Sequence, residues 1–66
     1  MKRKYAEMYY SVKKTDKGWT WSIYFNYKDK EPSQTSLDNE DEDDKYLKTE
    51  TAARMDAIHA IQDHYS

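Results

Sequence analysis

Residues 5–14 alternate between two rows. Ala6, Met8, Tyr10 and Val12 form one; Tyr5, Glu7, Tyr9, Ser11 and Lys13 form the other. A period of two marks a half-buried strand, whose side chains point in turn to opposite faces. Thr15-Asp16-Lys17-Gly18 follows with the only glycine of the chain, which predicts a hairpin turn with Gly18 at positive φ. Over residues 19–28 the alternation resumes. Trp19, Trp21, Ile23, Phe25 and Tyr27 face one way; Thr20, Ser22, Tyr24, Asn26 and Lys28 face the other. Asp29-Lys30-Glu31-Pro32 predicts the next turn, because proline lacks a ladder donor and restrains the residue before it. Residues 33–37 predict a short third strand at an edge.

The period then breaks. Asp38-Asn39-Glu40-Asp41-Glu42-Asp43-Asp44 is too charged to bury and predicts a loop over 38–45. Tyr46 and Leu47 re-enter the core. Thr49 or Thr51 caps a helix over about 50–64, with Glu50 in its first turn where the helix dipole favours an anion. Ala53, Ala57, Ile58, Ile61 and Tyr65 share one side; Arg54, Asp56, Gln62 and Asp63 face water. The predicted fold is one α+β domain over residues 1–66: a three-stranded antiparallel sheet (β-β-β-α, strands about 5–14, 19–28 and 33–37) with one C-terminal helix packed on one face. The row from Trp19 to Tyr27 is expected to supply core bulk, with Trp19 or Tyr27 overhanging at its ends. The opposite, uncovered face is expected to carry Tyr5, Tyr9, Tyr24, Thr20, Ser22, Asn26, Lys13 and Lys28.

Composition explains why so much of the core is aromatic. Sixty-six residues bury only about 60% of their unfolded surface, and a buried aromatic ring removes roughly 150–250 Å² from water. The chain has no cysteine, which excludes disulfides, thiolate metal sites and cysteine nucleophiles and fits a reducing compartment. No apolar run approaches the roughly 20 residues that span a bilayer. Met1-Lys2-Arg3-Lys4 has the charge of a leader, but Tyr5-Ala6-Glu7-Met8 stands where its apolar region would be. A cytoplasmic protein with a basic tail over residues 1–4, away from membranes, is expected.

Charge changes the picture further. Residues 1–28 hold seven basic and two acidic groups, residues 29–44 one basic and eight acidic, and residues 45–66 three of each. The overall charge of −2 conceals a dipole along the sequence. The chemistry tested against this background is mostly absent. His59 and His64 are five apart, where a helical metal pair needs three or four. One glycine cannot build a phosphate loop, and no serine sits in a G-x-S-x-G setting. The acidic run lacks the glycine and final glutamate of a calcium loop. The expectation is no enzyme, no cofactor, no metal and no catalytic residues.

Two binding chemistries remain. In the leading one, Asp38, Glu40, Asp41, Glu42, Asp43 and Asp44 imitate phosphate charge and, with Tyr5, Tyr9 and Tyr24 on the open face, occupy a basic nucleic-acid-handling protein as inhibitor or regulator. In the alternative, Lys2, Arg3, Lys4, Lys13, Lys14 and Lys28 contact nucleic acid, with tyrosines available to stack on bases. A homodimer that buries the open face is a third arrangement, with the monomer as its counterpart.

Val12-Lys13-Lys14, Lys17-Gly18-Trp19-Thr20-Trp21-Ser22-Ile23, Tyr46-Leu47-Lys48-Thr49, Ala52-Ala53 and Ala57-Ile58 resemble the arm-type N-terminal domains of phage and transposon integrases. More generally, the chain is similar to small accessory proteins of phages and mobile elements. The resemblance implies the three-strand-plus-helix fold and DNA binding through the open sheet face. Those domains are basic, whereas this chain carries an acidic stretch before Tyr46.

Overall fold

The structure, a computed structural model, describes residues 2–65. It is α+β, with an antiparallel sheet and a C-terminal helix across one face. The sheet has four strands rather than three, in the order β1 (Arg3–Tyr5), β2 (Met8–Thr15), β3 (Gly18–Tyr24) and β4 (Gln34–Thr35). A 3₁₀ turn (Ser36–Asp38) and a single helical turn, α1 (Glu42–Lys45), lead to the long helix α2 (Glu50–His64).

The extra strand arises because a turn at Ala6-Glu7 interrupts the first predicted strand and lets Arg3 and Lys4, expected in a basic tail, pair with Tyr10 and Tyr9. Tyr5 pairs with Met8, so Ala6 and Glu7 form a two-residue hairpin loop. Ala6 takes a φ of +54°, a conformation that costs an L-residue about 1–2 kcal/mol and that glycine adopts freely. Ala6→Gly is therefore expected to stabilise the fold by about 0.5–1 kcal/mol after glycine's own entropy cost. A thermal melt checks this: an unchanged or lower midpoint would mean that Ala6 is not strained.

The core lies between the sheet and α2. Met8, Tyr10, Trp21 and Ile23 from the strands are buried against Ala53, Ala57, Ala60 and Ile61 of the helix. The helical spacing of those four residues places them on one side, and the three alanines let the helix axis approach the tryptophan. Trp21 is 2% exposed, and its indole N–H donates to Asp56 Oδ2 on α2 at 2.7 Å. Thr49 caps α2, its hydroxyl accepting from the Ala52 N–H at 3.0 Å. Tyr65, expected in the core, is exposed at the helix end.

The row from Trp19 to Tyr27 is core only in its first half. β3 has seven residues, about 23 Å long at 3.3 Å per residue, and the fifteen-residue α2 is about 22 Å long. Phe25, just after β3, meets α2 at the helix's last residue, its ring edge to face with His64 at 5.7 Å between centroids. There the chain turns, with the Asn26 N–H donating to Asp29 Oδ2 and the Asp29 N–H to the Asn26 carbonyl. Phe25 and Tyr27 are consequently more than half exposed. Trp19 stays half-buried, held by reciprocal 2.7 Å backbone bonds with Leu47.

Candidate functional site

With α2 on one side, the other sheet face is built by the alternate residues of each strand, and the register sorts them into ranks. Lys4, Tyr9 and Tyr24 lie across β1, β2 and β3 at one end. Ser11, Ser22 and Thr35 cross β2, β3 and β4 in the middle. Lys13 and Thr20 pair near the hairpin tip, where they share a groove of about 400 Å³ with Leu37 and Tyr46. The face thus has an aromatic end, a band of small hydroxyl residues, and an apolar hollow beside lysines.

The aromatic end is organised by Lys2. Its ammonium sits 3.9 Å from the Tyr24 ring centroid and donates to the carbonyls of Tyr27 and Asp29, each at 2.6 Å. One cation therefore pins the 25–29 turn to the sheet, combining a cation–π contact with charge-assisted hydrogen bonds. It also brings Tyr27 against Tyr9, edge to face with centroids 5.5 Å apart. Tyr27 was expected at an end of the core row, where it or Trp19 would overhang; it joins the open face because the strand ends before it. No sequence period signals this, since the contact depends on the turn and on Lys2.

Several expected site residues lie elsewhere. Tyr5 belongs to the helix side: it pairs with Met8, packs against the core, and its hydroxyl accepts from Gln62 Nε2 at 2.8 Å. The Ala6-Glu7 turn reverses the parity on which the open-face placement depended. Arg3 pairs with Tyr10 and borders a groove with Glu50 and Arg54, also on the helix side. Lys14, opposite Trp19, shares that parity and is exposed. Lys28 is exposed in the 25–29 turn, with Asn26 also exposed there rather than on a strand. Of the proposed cations, Lys4 and Lys13 stand on the open face as exposed residues, and Lys2 reaches it as a clamp.

The acidic stretch is folded. Asp38 Oδ2 accepts from the Thr35 N–H, Asp41 caps α1 by accepting from the Asp43 N–H, and Asn39 Nδ2 donates to the Asp44 carbonyl. It connects β4 to Leu47, both on the β3 side, so it runs along the sheet edge opposite β1. Asn39 and Asp44 border a cleft of about 360 Å³ toward α2, with Trp21, Asp56 and Asp63. Glu40, Glu42 and Asp43 are exposed along the same edge. Arg3 and Lys4 of β1 thus stand at one sheet edge and these carboxylates at the other, while Lys17 lies over the Tyr46 ring next to the stretch.

Among the described residues, no three histidine or acidic side chains are grouped to hold a metal ion, and no helix is long and apolar enough to cross a membrane. Comparison with known proteins gives no match to a family model, to a curated protein or to a solved structure.

Proposed function

We propose that this protein is a non-enzymatic nucleic-acid-binding module that uses its helix-free sheet face. The observation that carries the reading is the composition of that face: Tyr9, Tyr24 and Tyr27 gather at one end with Lys4, Lys13 lies toward the other, and the acidic stretch is held at the far edge. Aromatic rings with lysines between them suit stacked bases and a phosphate backbone. The overall acidity of the chain is no obstacle, because a ligand on the face meets its local field. The likeness to integrase arm-type domains points the same way.

Titration of labelled oligonucleotides at about 50 and 150 mM salt tests the reading. Binding is expected at low salt and should weaken as salt rises, because phosphate contacts release counterions. Lys4→Glu combined with Lys13→Glu should reduce affinity at least tenfold with the fold intact. Absence of binding at the lower salt would overturn the proposal.

A second reading, a basic nucleic-acid-handling protein as partner, is favoured by the order within the acidic stretch. Asp38, Asp41 and Asn39 each fix the backbone locally, so the carboxylates are presented rather than trailing. Because Tyr5 faces the helix, the carboxylates would act without it. Replacing Asp41, Glu42, Asp43 and Asp44 by lysine should abolish capture of such a partner while leaving the open face unaltered. If that variant instead binds oligonucleotides more tightly and captures the same partners, the acidic edge has no recognition role.

A further inference from the structure

The groove at the hairpin end of the open face has a composition that the core does not explain. Leu37 is 50% exposed, although it follows directly on buried Ser36. It lines the groove with Tyr46, and Thr20, Lys13 and Lys17 are also part of the wall. The Lys17 ammonium lies 5.6 Å from the Tyr46 ring centroid. Asp16 is the one carboxylate among its lining residues, against two lysines, and the acidic stretch begins beyond the groove wall at Asp38. An apolar floor with an aromatic wall and a cationic rim fits a planar, hydrogen-bonding ring attached to a phosphate. The volume, about 400 Å³, lies within the range of small-ligand sites.

Resting on the nucleic-acid reading above, we propose that the ligand is single-stranded, and that one unpaired base leaves the stack and seats in the groove between Leu37 and Tyr46. The hollow supports this, because a duplex would keep its bases paired and out of it, whereas tyrosines beside lysines suit the bases and backbone of a single strand. The spacing is compatible with such a strand. Tyr9 and Lys13 are four residues apart on β2, about 13 Å, which about four stacked nucleotides cover at 3.4 Å each. Between the ends, Ser11, Ser22 and Thr35 leave a low path and offer hydroxyl donors to sugar and phosphate.

The test compares a labelled single-stranded thymidine oligonucleotide of about ten residues with a duplex of the same length, by anisotropy at about 50 mM salt. The single strand is expected to bind at least tenfold more tightly. Leu37→Ala, at a half-exposed position where the fold should persist, is expected to weaken single-strand binding about five- to tenfold, the scale of losing one base contact. It should leave duplex binding unchanged, with folding verified by tryptophan fluorescence. Equal or tighter duplex binding would overturn the single-strand assignment and leave the nucleic-acid reading standing. Unaltered single-strand affinity in both Leu37→Ala and Lys17→Ala would overturn the groove. Binding of neither oligonucleotide would remove the function itself, and this inference with it.

Discussion

Trp21→Ala is expected to remove about half or more of the protein's stability. The side chain is 2% exposed and packs with Met8, Tyr10 and Ile23 of the sheet and with the alanine face of α2. Truncating a buried tryptophan to alanine costs about 3–5 kcal/mol, through lost transfer energy and the cavity left behind. A domain of 66 residues has roughly 3–10 kcal/mol in total. The substitution also deprives Asp56 of the indole donor that meets it at 2.7 Å. Urea unfolding followed by far-ultraviolet circular dichroism measures the effect without relying on the lost fluorophore. A midpoint close to that of the unaltered protein would mean that Trp21 is not the centre of the core. Trp21→Phe divides the two contributions: it keeps a ring while removing the N–H, and should cost about 1–3 kcal/mol as the carboxylate loses its partner.

That central position was legible in the alternation of residues 19–23, because a two-residue period has one meaning when a helix covers one face. The same rule failed at both ends of the sheet for physical reasons. At Ala6 and Glu7, neither residue carries the glycine, asparagine or aspartate signal of a tight hairpin, so the alternation reads straight through a turn that inverts it. Tyr5 was thereby assigned to the open face and lies instead against Gln62. After Tyr24 the hydrophobic pattern continues, but a strand is covered only as far as its helix reaches. The element lengths predict an overhang at Trp19 or Tyr27, but not that the chain turns from Phe25 onward. The open-face cluster was therefore half visible: Tyr9 and Tyr24 follow from parity, whereas Tyr27 arrives through a turn closed by Asp29 and clamped by Lys2. The groove was not visible at all. Leu37 and Tyr46 are nine positions apart, and both line it because the acidic stretch between them closes on itself, with Asp41 and Asn39 bonding to its own backbone.

Gly18→Ala is expected to damage both stability and the proposed site. Gly18 has a φ of +136°, where an alanine is strained by about 1–3 kcal/mol. The added Cβ would also stand 2.8 Å from the Leu47 carbonyl oxygen and 3.3 Å from Tyr46 Cβ. Neither is the tip of a flexible side chain. That carbonyl accepts from the Trp19 N–H, and the Leu47 N–H donates to the Trp19 carbonyl, both at 2.7 Å, so the backbone cannot retreat without weakening the pair. With about 0.5–1.5 kcal/mol for each hydrogen bond, the expected loss is about 2–4 kcal/mol. At roughly 4–8 °C per kcal/mol for a domain of this size, the melting midpoint should fall by about 8–30 °C. The functional consequence is separable from the thermal one. Below its lowered midpoint the variant keeps β1, β2, β3 and α2, so Tyr9, Tyr24 and Tyr27 should still stack on a strand. Tyr46, displaced with Leu47, no longer walls the groove. Anisotropy in the cold should then show single-strand affinity reduced toward that of Leu37→Ala, with duplex affinity unmoved. A variant that melts normally would show that the 46–47 segment does not rest on Gly18. One that melts early yet binds single strands at full strength would show that the groove takes no part in recognition.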